Sequence, residues 1–263
     1  VEVHDITTLL VALADPNVTE IVATQNITYS GEWDEVVGGR IQPYAFEISA
    51  TNRQLLIKAA NGLENVNLIG TSMKMQFDES DAEFKMAFDG ISIKHNIDYN
   101  YDEYNHSSPW LTIYPEYSDS DSSSHIFINN MNMETGWIRD PIDRLYYNSN
   151  FTIENSHFES VTMGMVNKLI LNNVDFYGSK DEFDAEKWWS SNTVYGKILG
   201  NDIVIDGGVF KRLYGRWVIR SQNSLSINDA VIRDGVYTEH WLDETSHQYI
   251  CTEGFFEMNN TTI

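Results

Sequence analysis

Aromatic and basic side chains recur together along this chain. They are Trp137, Arg139, Arg144, Tyr177, Lys180, Tyr214, Arg216, Trp217 and Tyr237. An aromatic ring stacks on the apolar face of a sugar, and an arginine binds a carboxylate through two parallel hydrogen bonds. A surface that combines both would hold a uronate-bearing or sialylated glycan. The simpler alternative is that each aromatic packs on the core or a loop and each cation pairs with a nearby acid.

Eight copies of one octapeptide pattern set the positions of these residues. Each copy reads apolar-x-apolar-x, then Gly, Asn or Asp, then two variable residues and an apolar residue. The copies are residues 66–73, 86–93, 126–133, 151–158, 169–176, 203–210, 225–232 and 256–263. The alternation predicts a short strand with one buried face, and repetition at intervals of this length is typical of solenoids.

The fifth residue of every copy tolerates a left-handed backbone. These residues are Gly70, Gly90, Asn130, Asn155, Asn173, Gly207, Asp229 and Asn260. We expect a sharp corner there, with stacked Asn side chains forming a ladder. Strands one coil apart are parallel, and such crossovers are almost always right-handed. The pattern predicts an all-β fold, a right-handed parallel β-helix (β-solenoid). An antiparallel sandwich is the alternative, although hairpin signals are scarce.

The intervals between copies are unequal, which indicates insertions between coils. The longest interval, from residue 86 to residue 126, predicts a further degenerate coil near Leu111 and Ile113. When positions are counted from the first residue of the preceding copy, Trp137 and Arg139 have offsets similar to those of the later aromatic and basic residues. We therefore expect these side chains on neighbouring rungs of one lateral face.

Residues 5–14 are predicted to form an amphipathic helix with Asp5 as the N-cap. Ile6, Leu9, Leu10 and Leu13 share one apolar face. Because this helix comes directly before the first predicted strand, it would cover the open end of the solenoid. The prediction is one β-solenoid ligand-binding region over residues 1–263, with an N-terminal helical cap at about 5–14 and coils at about 19–263.

The chain is strongly acidic, with 39 Asp and Glu against 17 Lys and Arg and a net charge of −22 at pH 7. This argues against nucleic acid or an acidic polysaccharide as a tight partner at neutral pH. Near pH 4 about half of the carboxylates are protonated if they titrate at their ordinary values, so binding of polyanions becomes allowed in acid. No apolar stretch is long enough to cross a membrane, and no membrane partner is expected.

The opening of the chain resembles that of a known family. Residues 5–29 read DITTLLVALADPNVTEIVATQNITY, which looks like the start of pectate lyase-like adhesive domains of bacterial surface proteins. The likeness is greatest to the binding regions of the serine-rich repeat adhesins of lactobacilli, and with the Asn-bearing copies it spans nearly the whole chain. The resemblance implies a right-handed β-solenoid on a glycosylated stalk that binds host or plant glycans, mucins and pectin-like polymers, often better at acid pH.

A polysaccharide lyase of the pectate-lyase type is the alternative function. Arg139, Pro141 and Arg144 match the R-x-P-x-x-R spacing of such enzymes. The companion W-I-D-H motif is missing, and so are the Asn-Thr-Asp and Arg-Ile-Lys motifs of polygalacturonases. Carboxylates are so numerous that pairs of them carry no signal.

We therefore expect a binding module, with no catalytic residue, metal site or cofactor. The single Cys251 excludes an internal disulfide framework, and no two of the seven His have metal-ligand spacing. The expected protein is the binding region of a cell-wall anchored, extracellular adhesin. Its expected partner is a host mucin or a polysaccharide, with pH-dependent binding.

Overall fold

In the computed structural model the described part of the chain is all-β, with one short helix. The structure describes residues 1–28, 36–37, 40–41, 45–48, 54–69, 73–77, 83–94, 110–115, 123–139, 149–178, 198–211, 219–233, 250–252 and 254–263. The helix is α1 (Ile6–Ala14). The strands are β1 (Glu2–Val3), β2 (Glu20–Ala23), β3 (Ile27–Thr28), β4 (Val36–Val37), β5 (Arg40–Ile41), β6 (Ala45–Ile48), β7 (Gln54–Ala59), β8 (Val66–Ile69), β9 (Met73–Phe77), β10 (Glu83–Asp89), β11 (Ile91–Lys94), β12 (Trp110–Pro115), β13 (Ser123–Asn129), β14 (Asn132–Arg139), β15 (Ser149–Glu154), β16 (His157–Asn172), β17 (Asp175–Tyr177), β18 (Ile198–Asp206), β19 (Val209–Lys211), β20 (Ile219–Asn228), β21 (Val231–Arg233), β22 (Ile250–Thr252) and β23 (Phe255–Asn259).

Strands β4 and β5 form an antiparallel pair, and the other strands form three stacks of parallel strands. Stack 1 contains β1, β2, β7, β10, β13, β15 and β23 with the last residues of β16, β18 and β20. Stack 2 contains β3, β8, β11, β17, β19 and β21 with the first residues of β14 and β16. Stack 3 contains β6, β9, β12 and β22, the rest of β14 and β16, and the first residues of β18 and β20. The chain passes through the stacks in turn and returns one strand further along, as expected of a β-solenoid.

The predicted corner residues do adopt a left-handed backbone. Among the described residues, φ is 65° at Gly90, 53° at Asn130, 46° at Asn155, 51° at Asn173, 73° at Gly207, 50° at Asp229 and 46° at Asn260. Gly70 lies outside the described residues. Only residues that tolerate positive φ fit this position, so the prediction of a corner at each fifth residue is confirmed.

The Asn ladder at this corner is present, and it is interrupted. Asn173 Nδ2 donates to Asn155 Oδ1 at 3.0 Å, and Asn155 Nδ2 donates to Asn129 Oδ1 at 3.1 Å. Gly207 has no side chain to continue the ladder, and it resumes where Asn260 Nδ2 donates to Asp229 Oδ1. The bonds from Asn173 and Asn260 join corner residues of successive coils, whereas Asn155 bonds to Asn129, the residue before the corner residue Asn130.

Seven of the eight copies lie in register, as neighbouring rungs of stack 1. Their first residues are Met86, Ile126, Phe151, Leu169, Ile203, Leu225 and Phe256. The expected degenerate coil near Leu111 is wrong, because Met86 lies directly beside Ile126 and Leu111 pairs with Met73 in stack 3.

The copy at 66–73 is also out of register with the others. Val66 pairs with Ile91 in stack 2, and the strand that lies beside Met86 is β7, through Leu55. Strands in all three stacks alternate in the same way, so the pattern alone could not tell one stack from another.

The residues that face inward form a single core. In stack 2 the rings of Phe158, Phe176 and Phe210 are fully buried on successive rungs, with centroids 6.3 Å apart at each step. Burying a phenylalanine side chain contributes about 1.5–3 kcal/mol, so this column makes a large contribution to stability.

The predicted N-terminal helix is confirmed, with Asp5 as its N-cap. Asp5 Oδ1 accepts a hydrogen bond of 2.7 Å from the backbone N–H of Thr8, and Thr8 Oγ1 accepts one from the backbone N–H of Asp5. The hydrogen bond from the Thr8 backbone, with that from the Thr8 hydroxyl, lowers the pKa of Asp5. Leu9, Ala12 and Leu13 are buried in the core, and the helix packs against β1 and β6, as a cap would. No helix in the described part of the chain is long and apolar enough to cross a membrane.

Candidate functional site

An open groove of about 500 Å³ lies on the outer surface of stack 1, over β7, β10, β13 and β15. Leu55, Met86 and Ile126 point into the core and are no more than 2% exposed. The residues on either side of them therefore face outward, because successive side chains of a strand point to opposite faces. These outward residues form the walls of the groove.

Three rows of outward residues run across the strands. The central row is Leu56, Ala87, Phe127, Thr152 and Ile170. The basic row is Gln54, Lys85, His125, Asn150 and Lys168. The carboxylate row is Asp89, Asn129, Glu154, Asn172 and Asp206.

Phe127 is the largest side chain of the central row and is 38% exposed. Its neighbours on the adjacent rungs, Ala87 and Thr152, are both small. Their size leaves space on each side of Phe127, and all three residues line the groove. The arrangement presents an aromatic ring between two recesses, which suits stacking against a flat apolar surface such as that of a sugar ring.

Hydrogen bonds between amides and carboxylates hold the carboxylate row in place. Asn129 Nδ2 donates to Asp89 Oδ1 at 2.8 Å, and Asn172 Nδ2 donates to Glu154 Oε1 at 2.9 Å. Four residues of extended strand separate Lys85 from Asp89, or about 13 Å. This separation exceeds the Debye length of about 8 Å at physiological salt, so the two rows act as separate charged rows on either side of the central row. The groove is lined by the basic and central rows, and the carboxylate row lies beside it.

Of the predicted site residues, Tyr177 lies on a different surface from the groove, in stack 2. Lys211 Nζ lies 3.7 Å from the centroid of the Tyr177 ring, and the ring of His157 meets it edge-on at 4.7 Å. The Tyr177 hydroxyl donates to Asp175 Oδ2 at 3.2 Å. Lys211 and Arg233 are register partners on the next rungs, so this tyrosine does lie beside basic residues.

Trp137 and Arg139 lie in stack 3, where Trp137 pairs in register with Trp110 and Arg139 with Thr112. On the other side Trp137 pairs with Thr162. The remaining predicted site residues fall outside the described residues: Arg144, Lys180, Tyr214, Arg216, Trp217 and Tyr237. Their role as ligand contacts stays a prediction.

The alignment of these residues by their distance from the first residue of a copy agrees with the strand register in only two coils. The rung of Ile138 continues through Met163, Ile198, Ile219 and Ile250. Ile138 and Met163 follow the first residue of their copy at the same interval, but the other three follow at longer intervals. Insertions ahead of stack 3 therefore shift the later coils.

The groove residues Lys85, His125 and Phe127 were not among the predicted site residues, although the sequence carries a signal for them. Phe127 is the second residue of its copy, and Lys85 and His125 each come directly before the first residue of a copy. Aligning the copies on their first residue brings these positions into columns. The described residues contain no group of three or more His, Cys, Asp or Glu side chains that could hold a metal ion.

The described strands form an all-β, parallel-sheet structure, and its left-handed corners and Asn ladder agree with the β-solenoid class. Its family is the one described as "Putative pectate lyase-like adhesive domain": the family model matches residues 1–180, and the chain belongs to this family. Comparison with curated proteins and with solved structures gives no significant match. The description names adhesion and not catalysis, in agreement with the expected adhesin.

Proposed function

We propose that this chain is the ligand-binding region of a bacterial cell-surface adhesin and that it recognises glycans or glycoproteins of a host or plant. The observation that carries the proposal is the groove of stack 1. There an exposed phenylalanine lies between two recesses and beside a basic row, in a chain whose net charge is −22. The family's description as an adhesive domain supports the same role.

The shape of the groove favours a polymer over a small molecule. Pockets for small molecules enclose most of the ligand surface. This groove is open and lies across four strands, so a long chain could lie in it and continue at both ends. We propose that the stacks close into a right-handed parallel β-helix over residues 1–263, which would make the groove one rigid side of the molecule.

The proposed ligands are mucin-type glycoproteins and polysaccharides with uronate or sialylated sugars, bound more tightly in acid. Among the described residues, the charged groups in stack 1 include Lys85, His125 and Lys168 in the basic row, and Glu20, Lys58, Asp89, Glu154, Asp202 and Asp206 around it. A carboxylate with an ordinary pKa loses its charge as the pH falls towards about 4, whereas lysine stays charged and histidine becomes charged, so the attraction of such a surface for an anionic glycan increases.

A second proposed contact surface is the part of stack 3 that contains Trp137 and Arg139, two of the residues selected from the sequence; Tyr177 lies in stack 2 and does not belong to it. Trp137 and Arg139 on β14 represent it among the described strands. Replacing both with Ala should weaken glycan binding with little change in melting temperature. An unchanged binding curve would exclude this surface.

A glycan array probed with the whole chain at about pH 4 and pH 7 tests the proposed function. We expect binding to acidic glycans that is stronger at the lower pH. The variant Phe127→Ala should lose roughly tenfold in affinity for the best glycan, because it removes the stacking surface. Phe255→Ala is the matched control, because Phe255 is 63% exposed on β23, outside the groove.

Absence of binding at both pH values would refute the proposed function. Equal losses in Phe127→Ala and Phe255→Ala would leave the adhesin role but remove the groove as its site. The alternative function, a polysaccharide lyase, requires unsaturated product from polygalacturonate with Ca²⁺ at alkaline pH. Such product would replace the binding module with an enzyme.

A further inference from the structure

The outer surface of stack 1 has a repeat that matches that of a sugar chain. Neighbouring strands lie about 4.8 Å apart, close to the length that one pyranose residue adds to an extended glycan. The basic row offers five positions at this spacing, from Gln54 to Lys168. A ligand that crosses the strands would therefore meet a new side chain of the row with each sugar.

The sizes of the side chains in the central row alternate at the same spacing. Leu56, Phe127 and Ile170 are large, and Ala87 and Thr152 between them are small. The two recesses are therefore two rungs apart, on either side of Phe127. Sugar rings in these recesses would lie against the phenylalanine from both sides, whereas a ligand aligned along a strand would meet it once.

Charge distinguishes the two edges of the central row. The basic row contains Lys85, His125 and Lys168 and no carboxylate over its five rungs, and Asp202 is the next residue beyond it. Over the same five rungs the opposite row contains Asp89 and Glu154, and its one basic group, Lys58 on β7, forms an ion pair with Glu20 at 3.1 Å. The whole chain has 17 Lys and Arg against 39 Asp and Glu, so a row of five positions with three basic groups is unusual for this composition. A ligand whose acid groups all lie on one side would therefore bind with that side towards the basic row.

We propose that the groove binds an acidic glycan chain lying across the strands of stack 1, along the direction in which the strands are stacked. One sugar occupies each of the four rungs of the groove, from β7 to β15, and a fifth sugar continues beyond the groove onto the rung of β16. The sugar rings lie over the central row, and the acid groups point towards the basic row. Phe127 holds the middle of the ligand and Lys168 holds one end. This proposal rests on the proposed function and assigns it a site, an orientation and a ligand length.

A length series tests the orientation. Affinities are measured by calorimetry at about pH 4 for oligogalacturonides from the disaccharide to the octasaccharide, for heparin oligosaccharides of matched length, and for neutral cello-oligosaccharides. We expect affinity to rise with each added sugar up to about five sugars and then level off, as rungs about 4.8 Å apart are filled. Carboxylated and sulfated series share the required charge, and the comparison identifies the preferred source.

Variants locate the two ends of the ligand. Phe127→Ala should weaken binding of all lengths by roughly tenfold, and Phe127→Tyr should restore most of it. Lys168→Ala should weaken the pentasaccharide and longer chains by roughly threefold and leave the trisaccharide unchanged. Lys211→Ala removes the same charge from stack 2 and should change neither.

Three results would overturn this proposal while the proposed function stands. The first is an affinity that levels off at the disaccharide. The second is an effect of Lys168→Ala that is equal at all lengths. The third is equal binding of neutral and acidic chains. If no oligosaccharide binds but the glycan array is positive, the ligand lies on another surface. If the array is negative as well, both proposals are wrong.

Discussion

The close approach of two coils at Gly208 makes a sharp prediction about stability. Gly208 has φ = 85° and follows the corner residue Gly207. A Cβ atom added here would overlap the carbonyl oxygen of Val174 and lie 2.8 Å from its backbone nitrogen and carbonyl carbon. Since all of these are backbone atoms, no side chain can move aside, and the two coils themselves must separate.

Gly62 offers a matched comparison, because its φ is 88° and nothing lies within 4 Å of an added Cβ. Gly62→Ala should lower the free energy of unfolding by about 1–2 kcal/mol, the cost of a left-handed alanine. Gly208→Ala adds an overpacking penalty of about 1–3 kcal/mol, for a total of about 2–5 kcal/mol.

Urea unfolding followed by far-ultraviolet circular dichroism measures the difference between the two variants. With a denaturant slope of about 3 kcal/mol per molar, the midpoint of Gly208→Ala should fall below that of Gly62→Ala by about 0.3–1 M. Unchanged slopes would show that both variants unfold the same structure. Equal midpoints would refute the close approach between Gly208 and Val174 and, with it, the register of these coils.

Three further predictions concern the core, the ladder and the cap. Phe176→Ala, in the middle of the buried ring column, should lower the free energy of unfolding by about 3–5 kcal/mol in the same titration, and a loss under 1 kcal/mol would contradict the column. Asn173→Ala loses both the hydrogen bond to Asn155 and the tolerance of positive φ, and should lower the free energy of unfolding by about 2–3 kcal/mol. Asn173→Gly loses only the hydrogen bond and should lower it by about 1 kcal/mol. Equal losses of stability in the two variants would exclude backbone strain at this residue. Folding lowers the pKa of Asp5 from its ordinary 3.8, so the charged Asp5 side chain stabilises the fold above that pH, and this stabilisation is lost as the pH falls through the lowered pKa. Asp5→Ala should therefore reduce the melting temperature at pH 7 but not in strong acid. A reduction that does not depend on pH would contradict this role.

The corners show how far the sequence alone could predict the fold. Gly, Asn or Asp at every fifth residue predicted a left-handed backbone, and each such residue that the structure describes has one. The reason is local, since sterics within a single residue decide which side chains tolerate positive φ. The N-cap of α1 was predictable for the same reason, because Asp5 and Thr8 are only three residues apart.

Assignments that depend on distant parts of the chain were less secure. Val66 begins an octapeptide that fits the pattern, yet it pairs with Ile91 in stack 2. The in-register strand, β7, contains Leu55 and Ile57 but lacks Gly or Asn at the fifth position of a copy. Alternation specifies that a strand has a buried face, and it does not specify which neighbour the strand joins.

The candidate site illustrates the same limit. The sequence provided the side chains of Phe127 and the basic row, and the copies were long enough to align them. Insertions of unequal length precede the strands of stack 3, and the offset from Ile126 to Trp137 therefore could not be carried to later coils. Each in-register copy starts within a strand of stack 1, so insertions elsewhere in the coils do not change the alignment of these strands.

The sequence by itself determined the strand pattern, the corner residues, the N-terminal helix and the acidic charge, because each depends on single residues or on neighbours along the chain. Only the tertiary structure decided that Lys85, His125 and Phe127 share one groove. These residues lie as many as 42 positions apart in the chain and on adjacent rungs in space. Hydrogen bonding between parallel strands fixes that proximity, and no local pattern encodes which strands will pair.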